Sequence, residues 1–242
     1  PVSAAWEKAK ASGSYHFTSD VTQITIPIAK MTNVGRSSRS EQLHLEGQND
    51  LRQNAMELRL WSNGGNVQQE AESIGVKINQ GKTFVRQGVG EWQERTDFSL
   101  DTIAPQGDFM AYLVAMRNVQ AHPAESRNGI HFTRYSFAID GPTLALHLHQ
   151  QMEAAMRAKG ELPPGVTLEI PRYYQQMTGE GELWIDENGM PLRQVMTLQF
   201  PEQKDEQVNA QIVVDFSKFG KPVVAPSALL RTGDWRGVWA GV

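Results

Sequence analysis

The residues that could do chemistry in this 242-residue chain are few, and the first candidate is a phosphate site. Gly81-Lys82-Thr83 matches the end of a P-loop, in which backbone N–H groups and a lysine hold the phosphates of a nucleotide. A P-loop also needs a glycine five positions before Gly81 and a helix after Thr83. The chain has Val76 at that position, and the surrounding residues alternate as in antiparallel strands. We therefore predict a hairpin turn here.

Histidines are the second candidates, because a neutral imidazole binds metal ions. His147 and His149 are two residues apart, a spacing that suits a shared metal only on a strand, where both side chains point to one face. The residues around them favour a helix, which turns the two side chains to different sides. His16, His44 and His131 have no partner at a useful spacing. Structural or solvent-facing histidines are the favoured interpretation, with metal binding as the alternative.

Nucleophiles and paired acids are the third group of candidates. Ser99 and Ser136 lie in no G-x-S-x-G turn, which places the nucleophile in many hydrolases. Asp97, Asp101 and Asp108 form an acidic group, but not at the spacing of a calcium-binding loop, so they are interpreted as caps and turns. The sequence therefore predicts a protein that is not an enzyme, with no catalytic residue, no metal ligand and no cofactor.

Composition excludes several kinds of partner. There is no cysteine, so disulfides and thiolate metal sites are excluded. The net charge is −4 and no run of lysine and arginine occurs, which argues against nucleic acid as a partner. No apolar run approaches the roughly 20 residues that cross a bilayer. The chain begins at Pro1 without an initiator methionine and ends abruptly at Val242, so we expect further sequence, such as an export signal or an anchor.

The strongest structural signal is a hairpin in residues 178–200. Leu183 and Ile185 alternate with polar or amphipathic neighbours, and Asn188-Gly189 favours a tight turn because both residue types adopt positive φ at low cost. A second run of period 2 follows the turn and consists of Leu192, Gln194, Met196, Leu198 and Phe200. The sequence therefore predicts two antiparallel strands at this place.

Similar alternating runs occur along most of the chain and predict a meander of antiparallel strands. The first long run has Tyr15, Phe17, Ser19 and Val21 on one face, and then its apolar positions change phase at Ile24. We predict a bulge or a bend at this change, because a curved sheet requires such irregularities. Further predicted turns lie at residues 63–66 and 79–81.

Three helices are predicted among the strands. The first spans residues 3–12, with Ser3 as its N-cap, Trp6 as its anchor on the sheet and Gly13 as its end. The second begins at Asp108 as N-cap and places an apolar stripe on one side, and the third spans residues 144–159. These elements predict an α+β fold: one curved antiparallel sheet of roughly ten strands that curls around a few helices.

Several short motifs carry a resemblance to a known family. They are the helix that leads into Ser14-Tyr15-His16-Phe17, the Gly90-Glu91-Trp92 turn, the strand at residues 181–186 with its Gly189-Met190-Pro191 turn, and the closing residues 214–222. Together they resemble the bacterial lipoprotein-carrier superfamily, whose members include LolA and LolB, and most of all the LppX and LprG lipoproteins. The resemblance spans most of residues 4–226. We therefore expect a domain at residues 1–226 and a tail, or the start of a linker or anchor, at residues 227–242.

This resemblance implies that the curved sheet is a half-open β-barrel and that its helices close an apolar cavity. It also implies a function. It implies a non-catalytic, extracytoplasmic carrier, in the periplasm or at the cell surface, that holds lipids or the acyl chains of lipoproteins in an apolar cavity. A membrane surface or an envelope protein would be a further partner. The residues predicted to line the cavity are Phe17, Leu45, Leu58, Phe84, Phe109, Leu113, Met116, Leu198 and Val214. The alternative is an extracytoplasmic sensor domain of the RseB type, which binds a partner protein or a lipid signal.

Overall fold

The structure is a computed structural model, and it describes most of the chain. The described residues are 1–53, 55–62, 73–79, 82–95, 108–158, 160–170 and 172–221. The predicted turn at residues 63–66 lies outside them, as do Asp97, Ser99 and Asp101. The C-terminal tail also lies outside them, so the domain boundary at residue 226 stays a prediction.

The described chain consists of twelve strands, three α-helices and two short 3₁₀ helices. The helices are α1 (Val2–Ser12), α2 (Gly141–Ala158) and α3 (Arg172–Gln175), with 3₁₀ helices at Met31–Asn33 and Ala111–Ala115. The strands are β1 (Ser14–Pro27), β2 (Arg39–Asp50), β3 (Ala55–Ser62), β4 (Ile74–Asn79), β5 (Lys82–Gln87), β6 (Gln93–Glu94), β7 (Met116–Ala121), β8 (Glu125–Arg127), β9 (Ile130–Asp140), β10 (Thr178–Asp186), β11 (Pro191–Gln199) and β12 (Glu206–Ser217).

All twelve strands belong to one antiparallel sheet, which confirms the predicted α+β class. Their order is β6-β5-β4-β3-β2-β1-β12-β11-β10-β9-β7, and β8 also pairs with β9. Within the described residues β6 and β7 lie at the two edges, so the sheet is open and is not closed into a barrel. The first strand pairs with the last described strand at the middle of the sheet.

The predicted hairpin at residues 178–200 is confirmed as β10 and β11. Gly189 has a φ of 75°, and its N–H donates to the carbonyl oxygen of Asp186 at 2.9 Å. The Asp186 side chain accepts a second hydrogen bond from the N–H of Met190 at 2.7 Å. The turn is therefore fixed by a glycine conformation and by an aspartate, both of which can be identified in the sequence. The β4–β5 hairpin is also confirmed, because Asn79 pairs with Lys82.

The predicted bulge in β1 is wrong. The pairing of β1 with β12 is continuous from His16 to Pro27, so the two faces of the strand never exchange. Ile24 therefore lies on the face opposite to Phe17 and Val21, where it is 39% exposed. Because Ile24 is an apolar residue on the outer face, the alternating pattern of the sequence suggested a change of phase that the strand does not have.

Two helix boundaries also differ from the predictions. Helix α1 begins at Val2, with Pro1 as its N-cap, so Ser3 lies inside the first turn; Gly13 ends the helix as predicted, with a φ of 82°. Helix α2 begins at Gly141, because the Asp140 carboxylate accepts the N–H of Thr143 at 3.0 Å and caps the first turn. Pro142 fits there, since a proline in the first turn loses no hydrogen bond.

The predicted helix at Asp108 is only partly formed. Asp108 is not the N-cap as predicted: its carboxylate accepts the N–H of Met110 at 2.9 Å, and Met110 is the N-cap of the short 3₁₀ helix that the chain then forms. From Met116 onward it becomes β7, which pairs with β9. Hydrogen bonds to the sheet edge replace those of a longer helix, so tertiary pairing outweighs local propensity here.

Candidate ligand-binding interior

One face of the sheet, called the inner face below, packs against the helices and forms a single apolar cluster. Residues that lie directly opposite one another on paired strands share a face, so the pairing identifies this surface strand by strand. One row crosses six neighbouring strands near the middle of the sheet. This row consists of Leu60, Leu45, Ser19, Val214, Gln194 and Leu183, and all six residues are buried.

Residues 108–115, called the buried segment below, cover the centre of the inner face. Phe109, Met110 and Tyr112 are fully buried, and Leu113 is nearly so. The 3₁₀ helix of the segment contacts α1, α2 and β9, and its side chains join the same apolar cluster as the sheet. A short 3₁₀ helix therefore fills the place that a long α-helix takes in most layered domains.

Aromatic rings hold the first part of the buried segment against the sheet. The rings of Phe109 and Phe17 are 4.5 Å apart between their centroids. Tyr15 packs at 6.2 Å against Phe17 and at 5.5 Å, edge to face, against Phe216. These contacts place four aromatic side chains from the buried segment, β1 and β12 in one group.

A buried carboxyl group fixes the beginning of the segment. The Tyr15 hydroxyl donates to Asp108 Oδ1 at 3.1 Å, and Asn49 Nδ2 donates to the Tyr15 hydroxyl at 3.0 Å. Burial raises the pKa of the Asp108 carboxyl, and this effect outweighs the N–H of Met110, the Tyr15 hydroxyl and Lys10, which lower it. Burial likewise raises the pKa of the Tyr15 hydroxyl well above its ordinary value.

Two substitutions of Asp108 should distinguish the contribution of its hydrogen bonds to stability from the contribution of its charge. In Asp108→Ala the N–H of Met110 and the Tyr15 hydroxyl lose their acceptor, so we expect the free energy of unfolding to fall by about 2 kcal/mol. Asp108→Asn keeps an acceptor oxygen and should lose less. Urea denaturation of the two variants checks this, and equal losses would contradict the assigned hydrogen bonds.

The raised pKa of Asp108 also predicts a pH dependence. The folded state binds the proton more tightly than the unfolded state does, so the stability of the wild type should fall as pH rises from the ordinary value of 3.8 through the raised pKa. Asp108→Asn has no proton to lose at this position and should show a smaller fall. Urea denaturation in steps between roughly pH 4 and pH 7 measures both slopes; identical slopes would show that Asp108 does not titrate in this range.

Two polar side chains interrupt the apolar inner row. Gln194 Nε2 donates to the carbonyl oxygen of Phe109 at 2.8 Å, while its Oε1 has no hydrogen-bond partner among the described residues. Ser19 lies two strands away with Val214 between them, and its Oγ also has no partner there. Both residues were missed as site candidates. The signal was present in the sequence, because each is the polar member of an otherwise apolar alternating run.

Most of the residues that were predicted to line the cavity lie together in the apolar cluster of the inner face. Seven of them are buried in the single apolar cluster: Phe17, Leu45, Leu58, Phe109, Leu113, Leu198 and Val214. Met116 is partly buried and packs against this cluster. Phe84 lies apart, because it pairs with Lys77 on the outer face, whereas its neighbour Val85 pairs with the buried Val76. That these residues line a cavity stays a prediction.

Two surface pockets lie away from these residues. One, of about 220 Å³, is bordered by residues 124–126, 131–133 and 185–187. The other, of about 330 Å³, is bordered by Tyr173, Pro201, Gln203, Lys204, Glu206 and Val208. The side chains at the centre of the inner face are packed against one another, so a ligand could enter there only if the buried segment moves.

The histidine and acidic candidates have structural contacts. His149 Nε2 donates to the carbonyl oxygen of Leu168 at 2.9 Å and lies 3.3 Å from the Glu153 carboxylate, which ties the loop after α2 to that helix. Burial and the charge of Lys10 lower the pKa of His147. Among the described residues, no three His, Asp or Glu side chains form a group that could hold a metal ion.

Charged and aromatic residues cover the outer face beside the β10–β11 hairpin. Arg193 donates two hydrogen bonds to Asp215, at 2.6 and 2.7 Å, and Arg134 pairs with Glu125 at 2.9 Å. The Arg193 guanidinium also lies 5.2 Å from the ring centre of Trp184. Both arginines therefore form salt bridges at the surface of the outer face.

The fold and its interior define a class: an open antiparallel sheet whose apolar face is covered by short helices. Within the described ranges, no helix combines the length and apolar character that crossing a bilayer requires. No protein-family model and no curated protein matches the chain.

Solved structures do show similarity to the chain. The lipoprotein LppX of Mycobacterium tuberculosis is 14% identical, with 92% of this chain and 94% of that chain covered and a TM-score of 0.47. LprF of Mycobacterium bovis is 11% identical, with 93% and 96% covered and a TM-score of 0.40.

Proposed function

We propose that the chain is a non-catalytic protein that binds and carries a lipid or an acylated molecule outside the cytoplasm. The observation that carries the proposal is the apolar inner face. It includes buried side chains from eight strands, and the buried segment and helix α1 together cover its central strands. The ligand would take the place of residues 108–115, and the sequence motifs that resemble lipoprotein carriers support the same assignment.

The free-energy cost of moving the buried segment into water is similar to the gain from burying an acyl chain in its place. Moving four buried side chains of the segment into water costs roughly 1.5–3 kcal/mol each, or about 6–12 kcal/mol in total. An acyl chain of about 16 methylene groups gains about 13 kcal/mol when it is buried, at about 0.8 kcal/mol per group. An ordinary acyl chain can therefore displace the segment, and the segment can in turn help to expel the chain. This near balance suits a carrier that must also release its ligand.

We also propose where the ligand is loaded and released. A ligand that is almost insoluble in water has to be loaded from, and released to, a membrane surface or an envelope protein. The resemblance to extracytoplasmic lipoprotein carriers supports a location in the periplasm or at the cell surface. The open edges of the sheet and the short covering elements allow the interior to open without unfolding of the remaining strands.

Native mass spectrometry of the protein purified from its source tests the proposal. We expect a fraction of molecules with added mass, and extraction of this fraction should release molecules that carry acyl chains. The same preparation after denaturation, lipid removal and refolding serves as the control and should take up a fluorescent fatty acid. A ligand-free mass together with no uptake by the refolded protein would contradict the proposal.

A further inference from the structure

Gln194 is the most buried polar side chain of the inner face, with 0% exposure. Its Nε2 donates to the Phe109 carbonyl oxygen at 2.8 Å and lies 3.3 Å from the Met196 sulfur. Its Oε1 has no partner within the part of the chain that the structure describes. One end of the amide is thus bound to the buried segment, while the other presents a free acceptor to an apolar interior.

Ser19 presents a second polar atom to the same interior. It is 2% exposed, its Oγ has no partner among the described residues, and it lies in the same row as Gln194. Val214 separates the two, so they are two strand spacings, or about 10 Å, apart. The row therefore contains two unpaired polar groups in otherwise apolar surroundings.

A buried acceptor without a donor weakens a folded protein. The hydrogen bond to Phe109 accounts for Nε2 only and leaves Oε1 unexplained. A ligand that brings its own donor would account for it.

We propose that Gln194 determines which ligands the interior accepts, and that it selects apolar molecules that carry a hydroxyl group within or beside the acyl chain. Ser19 is the second polar contact. This inference rests on the proposed function, because it assumes that an acyl-bearing ligand displaces the buried segment.

The chemistry of the amide sets the preference. Oε1 can only accept a hydrogen bond, so it discriminates in favour of a ligand hydroxyl and against an ester oxygen or an ionised carboxylate, which have no proton to donate. When Phe109 moves away, Nε2 loses its acceptor as well and can donate to another oxygen of the ligand. A plain hydrocarbon chain would leave both ends of the amide unpaired, which weakens its binding.

Competition with a fluorescent fatty acid tests this selection. The probes are octadecanoic acid and its 3-, 10- and 12-hydroxy derivatives. Three hydroxyl positions are tested because the row of inner-face residues does not fix which carbon atom of the acyl chain lies beside Gln194. We expect at least one hydroxy acid to bind the wild type about tenfold more tightly than octadecanoic acid. In Gln194→Met the preference should disappear while octadecanoic acid still binds, and in Ser19→Ala it should weaken. Gln194→Leu serves as a second variant if the methionine variant folds poorly.

Gln199→Met is the matched control, since Gln199 is an exposed glutamine on the same strand. It should keep the preference of the wild type. The inference is overturned if the wild type binds all four acids equally, or if Gln194→Met keeps the preference. If the wild type binds none of the four acids, the proposed function fails as well, so the two failures can be told apart.

Discussion

Replacement of Phe109 by alanine is expected to destabilise the protein and at the same time to tighten fatty acid binding. The side chain is fully buried and its ring lies 4.5 Å from that of Phe17. Its removal should lower the free energy of unfolding by about 3–5 kcal/mol, because the segment leaves a cavity behind. A ligand that binds there no longer has to displace this ring, so its affinity should rise by about tenfold.

Thermal unfolding with and without octadecanoic acid measures both effects. The Phe109→Ala variant should unfold at a lower temperature than the wild type and should gain more from added ligand. Phe132→Ala is the matched control, since Phe132 is also buried but stacks on Trp184 at 4.7 Å on the outer face. This control should lose stability without a larger response to ligand. An equal response in both variants would show that the buried segment does not compete with the ligand.

The second large effect is expected at the beginning of helix α2. A Cβ added at Gly141 would meet only carbonyl oxygens, those of Met177, of Tyr174 at 2.6 Å and of Gln175 at 3.0 Å. Backbone atoms cannot rotate away as side chains do, so α2 would have to move away from residues 174–177. We expect Gly141→Ala to lower the free energy of unfolding by about 3 kcal/mol, and α2 to cover the inner face less closely.

Gly160→Ala, just after the other end of α2, is the matched control for this substitution. Gly160 has a φ of 73° and no atom within 4 Å of an added Cβ, so only the backbone conformation is penalised, by about 1 kcal/mol. Urea denaturation compares the two losses, and binding of an apolar fluorescent dye reports exposure of the inner face. Similar losses for both variants would mean that the contact at Gly141 is relieved without movement of α2.

Local signals explain what the sequence predicted well. The β10–β11 hairpin depends on Gly189, which has a φ of 75°, and on Asp186, whose contacts lie within four residues, and Gly13 likewise ends α1 with a positive φ. Alternation identified the inner face of most strands, and with it seven of the nine predicted lining residues. Such signals need no knowledge of what each strand pairs with.

The features that failed depend on distant partners. The pairing of β1 with β12 places Phe17 opposite Phe216, which is 199 residues away in the chain, and it cannot be predicted from either strand alone. Phe84 was assigned to the inner face because of its size, yet only its neighbour Val85 lies opposite Val76. The stretch after Ala115 has a helical stripe but becomes β7, because the edge of β9 offers it hydrogen bonds.

The central claim is that an acyl chain binds against the inner face, and photo-crosslinking tests it most directly. The protein would be loaded with a fatty acid that carries a diazirine in its chain, irradiated and digested, and the labelled residues identified by mass spectrometry. The account predicts labels on the inner face and the buried segment, at residues such as Leu198, Val214 and Phe109. Labels confined to the outer face around Trp184, or none that depend on irradiation, would contradict it.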